Sequence, residues 1–406
     1  MDAYLLDWAS LLLRWAHVVT AIAWIGASFY FVLLDNSLHR PDSDELRSKG
    51  VDGEMWAVHG GGFYHSNKYM VAPRWCPLPD DLHWSYWESY STWLTGFGLF
   101  TVLYLFNASS FLVDRNVHAW APSAAGAAAI AFLVAFWVVY DALCRTLGRG
   151  RHGDRVVGAT VFALVVFAAW LACHLFAGRA AFLLVGAMMA TSMTANVFFW
   201  IIPGQRKVIA QLRAGQEPDP IHGIRGKQRS VHNTYFTLPV IFAMLSNHYG
   251  WLYQGPDNWK VLVGLMLAGA LIRHSFVARH KAHVLGRRAP WEHAIAGGAL
   301  VIGMTIWRMP APPAPVPAIT AGAAPAPASF GAMKAIVDQR CVLCHNAQVS
   351  NKGVELDRPE LIQRHAQEIF QQAVVLRQMP LNNATGISDQ EREVIRRWYE
   401  AGASTR

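Results

Sequence analysis

Eight stretches of this chain are each predominantly apolar over about 20 residues, the length a helix needs to cross a bilayer. They run over Ser10–Leu34, Glu88–Asn107, Ala124–Leu143, Val156–Ala177, Ala180–Ile202, Val231–Tyr249, Trp259–Ala278 and Trp291–Trp307. No other feature limits the fold so tightly. In lipid every backbone N–H and C=O must be paired internally, and a helix does this within a single segment. The composition agrees, with 53% hydrophobic and only 15% charged residues, where a soluble domain carries about a quarter charged. Seventeen tryptophans suit the aromatic belts at the two membrane interfaces. The expected class is all-α, a polytopic transmembrane bundle of about eight helices. Met1–Ser10 holds two aspartates and no Lys or Arg, so it lacks the basic start of a cleavable signal. The first apolar stretch is therefore expected to remain as a span.

The loops between the stretches orient them. Cys144–Arg155, Pro203–Ser230 and Arg279–Pro290 are rich in Arg and Lys, and so is the long first loop, Asp35–Trp87. The opposite loops hold little beyond Arg115 and Arg179. Basic loops stay on the cytoplasmic side. The expectation is a multi-pass protein of a bacterial inner membrane, in contact with its lipid, with both termini periplasmic. The net charge of +8 is explained by this asymmetry, and no nucleic-acid partner is expected.

Pro310–Ser329 contains seven prolines in twenty residues and reads as a semi-rigid spacer. It divides a membrane domain, residues 1–309, from a tail of ordinary soluble composition, residues 330–406. A domain as small as that tail usually needs a covalent or metal staple. Of the five cysteines, Cys76, Cys144 and Cys173 are scattered, while Cys341-Val-Leu-Cys344-His345 forms the Cys-x-x-Cys-His attachment signature of c-type haem. A zinc site would need further Cys or His ligands nearby, and a thioredoxin-like dithiol would need a βαβ setting. The tail is therefore expected to be a small α-helical cytochrome c domain, with haem c bonded to Cys341 and Cys344 and His345 as proximal ligand. Met379, 34 residues further on, is the expected sixth ligand; Met333, the only rival, precedes the motif. A closing helix should start at Ser388, with Glu391 completing a capping box.

Histidines inside apolar spans are functional candidates. His17, His174 and His248 fall toward the periplasmic layer, and His232, His274 and His293 toward the cytoplasmic one. Facing histidines on neighbouring helices can hold b-type haem, and a haem b on His17 with either His248 or His174 is expected. Interhelical hydrogen bonding is the alternative role. The first loop also stands out, with His59-Gly-Gly-Gly-Phe-Tyr-His65, Lys68, and Leu82-His83-Trp84 leading to Glu88. Glycines permit close backbone approach, and His65, Lys68, His83 and Glu88 offer acid–base chemistry. A catalytic or substrate-binding role competes here with an interfacial aromatic belt broken by a glycine turn.

Arg14-Trp-Ala-His17 with Ala23-Trp-Ile-Gly26, the His59 loop, Leu82-His83-Trp84, Ala195-Asn-Val-Phe-Phe with Pro203-Gly-Gln205, and Ser230-Val-His232-Asn-Thr-Tyr through Ser246-Asn-His248 together resemble the bacterial membrane-bound urate oxidases of the PuuD type. The resemblance covers the whole length. The first stretch also resembles that of the haem-binding protoporphyrinogen oxidase HemJ, which favours His17 as a haem ligand. The resemblance implies oxidation of urate to 5-hydroxyisourate without flavin. It implies that electrons pass to the cytochrome, rather than directly to O₂, and on to a terminal oxidase or soluble cytochrome. A quinol–cytochrome c electron-transfer subunit with no organic substrate is the alternative, and a transporter with an appended cytochrome ranks below it.

Overall fold

Asp2–Ser37 contains no proline and folds as one 36-residue helix, α1. The structure is a computed structural model. It describes residues 2–70, 73, 78–114, 117–148, 153–253, 255, 257–309, 328–348 and 353–405. Cys76, Arg115 and almost all of the proline-rich spacer lie outside these residues.

A short helix α2 (Asp44–Ser48) and a hairpin, β1 (Gly53–His59) and β2 (Gly62–Lys68), follow α1. The hairpin gives the loop's glycines the alternative role weighed for them, that of a turn. Gly60 and Gly61 take φ of 59° and 80°, the pair of positive values that a two-residue hairpin turn requires. The glycines thus make a turn between paired strands.

The remaining apolar stretches are helical, and helix also runs through much of Pro203–Ser230, which was expected to be a loop. The helices are α3 (Trp87–Phe100, extended by a π turn to Leu105), α4 (Ala108–Phe111), α5 (Pro122–Leu147), α6 (Gly153–Leu175), α7 (Gly178–Asn196), α8 (Ile202–Arg213), α9 (Pro220–Leu245), α10 (Asn258–Val284) and α11 (Glu292–Trp307). Five of the helical runs are long and apolar enough to cross a membrane: α1, α5, α6, α10 and the continuous α7–α8 run. A π turn, Val197–Ile201, joins α7 to α8 just before Pro203. Proline lacks an amide donor and crowds the carbonyl four residues back, and a widened turn absorbs that mismatch.

The central helix is α7, with Ala180, Ala181, Leu184, Val185 and Met188 fully buried. Small residues let its neighbours approach. A Cβ on Gly186 would stand 2.8 Å from the Cβ of Ala243 on α9.

The tail forms α12 (Phe330–Arg340), α13 (Pro359–Arg364), α14 (Ala366–Ile369) and α15 (Asp389–Glu400). It has its own core, which includes Met333, Val337, Ile362, Ile395 and Trp398. Both capping-box bonds between Ser388 and Glu391 are present. The turn Leu381–Asn383 packs on α4, and Gln378 and the Leu376 carbonyl lie against Gly250. The tail therefore touches the end of the bundle opposite the Arg-rich loops.

Candidate active site between four helices

A cavity of about 500 Å³ opens between α1, α3, α7 and α9, within the range of small-molecule sites. Its walls are mostly apolar. Polar groups gather toward the Arg-rich end, where Asp35, Ser85, Glu88, Ser89, Ser230 and Asn233 line it. The Glu88 carboxylate makes no hydrogen bond or ion pair among the described residues, so both oxygens are free to accept a proton from a bound molecule.

Deeper in, His17 lines the same cavity. Its Nδ1 lies 3.0 Å from the Thr92 carbonyl oxygen and 3.2 Å from Thr95 Oγ1. A carbonyl only accepts, so Nδ1–H donates to it and Nε2 keeps its lone pair. Gly96 makes room for the ring, since a Cβ there would stand 2.7 Å from His17 Cε1. Thr92 is one helical turn from Glu88, about 6 Å along the axis. His17 and Glu88 thus belong to one site.

The two histidines expected to pair with His17 do not share its cavity. His248 follows Asn247, whose Oδ1 accepts from Tyr104 Oη at 3.2 Å. Gly96, which also meets the His17 ring, is eight residues before Tyr104, about 12 Å along the helix. His174 is exposed at the end of α6, with Nδ1 2.7 Å from the Trp170 carbonyl of its own helix. Neither His174 nor His248 lines the cavity. His17 packs against Thr92, Thr95 and Gly96, the middle of the 87–105 helical run, and so lies deeper than the periplasmic layer expected of it.

The other acid–base candidates lie outside the cavity. His65 stacks on Trp56, with ring centroids 4.1 Å apart, and bonds Glu54 at 2.5 Å. That bond holds the Glu54 carboxyl below its ordinary pKa. Lys68 pairs with Asp35 and so touches the cavity wall only through that carboxylate. His83 is exposed.

Sequence reading assigned no role to the buried chain behind the cavity wall. Asn233 Oδ1 accepts from Asn196 Nδ2 at 2.9 Å, and Asn233 Nδ2 donates to the Met193 carbonyl at 3.1 Å. Asn196 Nδ2 also donates to Tyr140 Oη at 2.9 Å, and Tyr140 Oη lies 2.9 Å from His232 Nδ1. Asn196, at the start of the π turn, is fully buried. The chain holds the Asn233 amide against α7 at the cavity wall, and His232 serves in it as a hydrogen-bond partner. The signal was available as polar residues inside apolar spans.

Residues 3–309 match the model of the family described as urate oxidase N-terminal. The chain belongs to this family. The matched region contains the whole cavity and ends where the proline-rich spacer begins. Comparison with curated proteins and with solved structures returned no match.

Beyond the urate oxidase N-terminal region, the tail presents a donor set that fits haem c. Cys341 and Cys344 are not joined to other cysteines. His345 Nδ1 lies 3.1 Å from the Val354 carbonyl, which orients the ring and leaves Nε2 free, the usual arrangement of a ligating histidine. Met333 is fully buried in the core, whereas Met379 is half-buried in a loop. Two arginines brace the two sides. Arg340 ties the helix before Cys341 to Glu391 at 2.9 Å. Arg392 donates to the Met379 carbonyl at 3.0 Å and to that of Ala373.

Proposed function

We propose that this chain is a membrane-bound urate oxidoreductase that binds urate in the α1–α3–α7–α9 cavity and passes its electrons to haem c on the tail. The observation that carries this reading is the coincidence of two facts. The family match covers the cavity, and the cavity brings a free carboxylate, Glu88, within about one or two helical turns of an oriented histidine, His17.

The chemistry is a two-electron oxidation. Urate and water give 5-hydroxyisourate, two protons and two electrons. The Glu88 carboxylate takes a proton from the reacting purine or water. Asn233, held by Asn196 and Met193, presents a fixed amide to the heterocycle. The apolar walls exclude bulk water. Haem, when bound, accepts electrons one at a time. Cys341, Cys344, His345 and Met379 would hold haem c, and His17 Nε2 would hold haem b. Lys68 acts indirectly, by keeping Asp35 in an ion pair at the cavity rim.

An aromatic run offers a route from the cavity toward the tail. Trp93–Phe97, Phe97–Phe100, Phe100–Tyr104 and Tyr104–Phe111 have ring centroids 5.2, 6.3, 5.7 and 5.5 Å apart. It leads from the level of His17 to α4, on which the tail packs. With the Arg-rich loops cytoplasmic, urate enters from the cytoplasm of a bacterial cell and the haem faces the periplasm. A terminal oxidase or soluble cytochrome then takes the electrons.

The test is anaerobic addition of urate to purified, oxidised holoprotein. Reduction of the c-type absorption, with 5-hydroxyisourate formed, is expected. Haem that stays oxidised with urate but is reduced by quinol would replace this reading with that of a quinol–cytochrome c subunit.

A further inference from the structure

The β1–β2 hairpin, singled out by its histidines and glycines, contributes no residue to the cavity. Its own surface points elsewhere. Trp56, Val58 and Phe63 are 65%, 70% and 76% exposed. Val58 pairs with Phe63 across the strands, and Trp56 with His65. Side chains alternate along a strand, so these three lie on one face, next to the turn. From Met55 to Asn67 there is no Asp, Glu, Lys or Arg. The charges of the segment, among them Asp52, Glu54 and Lys68, sit at its base. A finger with a charged base and an apolar tip is not built to stand in water, where a lone two-stranded hairpin is marginal at best.

The base is fixed to the end of α1. Lys68 pairs with Asp35. His39 and Glu54 exchange two backbone hydrogen bonds of 2.9 Å each. Asp52 N–H donates to the Lys68 carbonyl at 2.9 Å. A seven-residue strand reaches about 24 Å, so the tip lies within that distance of the end of α1 and can reach the membrane surface there. Tryptophan, tyrosine and phenylalanine favour that interface.

We propose that this hairpin is a membrane-interface finger whose Trp56, Val58 and Phe63 face sits among lipid headgroups beside α1. The proposal rests on α1 crossing the membrane and not on the urate reading. The hairpin thereby fixes the far end of α1, and with it Asp35 at the rim of the cavity.

Full-length holoprotein in nanodiscs of three parts phosphatidylethanolamine to one part phosphatidylglycerol provides the test. Nitroxide labels are placed, one at a time in a Cys76→Ser background, by Val58→Cys, Phe63→Cys, Tyr64→Cys and Arg287→Cys. Electron paramagnetic resonance then compares collision with O₂, which partitions into lipid, and with a water-soluble nickel chelate. Labels at 58 and 63 should be several-fold more accessible to O₂ than to nickel, position 287 the reverse, and position 64, on the other face, between them. Nickel accessibility at 58 and 63 equal to that at 287 overturns the proposal. So does spin–spin broadening that vanishes on dilution with unlabelled protein, because a second copy would then cover the tip. Thermal unfolding of each variant identifies one that has not folded, and agreement between positions 58 and 63 carries the result if one fails.

Discussion

Substituting Gly96 by Ala tests the site through geometry alone. The new Cβ would meet His17 Cε1 at 2.7 Å and Nδ1 at 3.1 Å. Ordinary carbon–carbon contact is about 3.5–4.0 Å, so the ring must retreat by roughly 0.8 Å or more. That retreat lengthens the 3.0 Å bond from Nδ1 to the Thr92 carbonyl beyond hydrogen-bonding range. Overpacking costs about 1–3 kcal/mol and the lost bond about 1 kcal/mol. Replacing glycine within a helix returns up to about 1 kcal/mol. The net expectation is a destabilisation of about 1–3 kcal/mol, read as a lower unfolding temperature in detergent. On the proposed reading, Gly96→Ala also lowers b-type haem content while c-type content holds, because Nε2 no longer points where Thr92 aims it. Gly98→Ala is the matched control, since its Cβ meets only Leu13 Cδ atoms, at 3.3 and 3.6 Å. If Gly96→Ala matches Gly98→Ala in stability and in spectrum, the placement of His17 against α3 is refuted.

Glu88→Gln keeps the shape of the cavity and removes its free base. Urate-dependent haem reduction should fall by about 10²–10⁴-fold with unchanged spectra, measured by stopped flow. Met379→Ala should abolish low-spin ligation in the c-type spectrum, whereas Met333→Ala should leave the ligation intact and cost about 2–5 kcal/mol of tail stability. Phe100→Leu, a smaller apolar residue in the aromatic run, should slow c-haem reduction relative to the membrane haem without changing the urate concentration needed for half-maximal rate. Acid should loosen the hairpin. The Glu54 carboxyl is held low by its bond with His65, so its contribution is full above the ordinary carboxylate range and is lost as pH falls through the depressed value. Hydrogen exchange of Met55–Asn67 amides should show that loss, and Glu54→Gln should flatten it.

The spans and the capping box were legible because each is a local pattern. Apolar length alone places a helix, and Ser388 with Glu391 three residues on states its own geometry. The hairpin was legible in principle, since Gly60-Gly61 between runs rich in aromatic residues is a turn signal. The chemical residue types, His59 and His65, drew the reading toward ligand binding instead. The depth of His17 was not legible. A 36-residue helix is longer than a bilayer requires, so position along it does not fix a level. That level is set by Thr92, Thr95 and Gly96, some 75–79 residues away in sequence. The same holds for Asn233, whose orientation depends on Asn196 and Met193 of another helix.

On the proposed reading, the depth of His17 changes what the electron route must do. A histidine beside the tail would have made transfer to the cytochrome a short local step. With His17 packed against Thr92 and Gly96, about 12–18 Å of α3 separates it from the Tyr104–Asn247 bond at the other end of the bundle. Along that stretch α3 places aromatic residues at 93, 97, 100 and 104. These three- and four-residue steps keep one helical face, and the π turn at Thr101–Leu105 carries the last ring into contact with Phe111 of α4. Phe100 and Tyr104 are buried, so this face is turned into the bundle and away from lipid. Core packing alone would accept Leu or Val at these positions. A run of rings that starts at the level of the cavity histidine and ends under the segment carrying Met379 would, on the proposed reading, serve a separated donor and acceptor. On the proposed reading, α3 is therefore both a wall of the urate site and its connection to the tail.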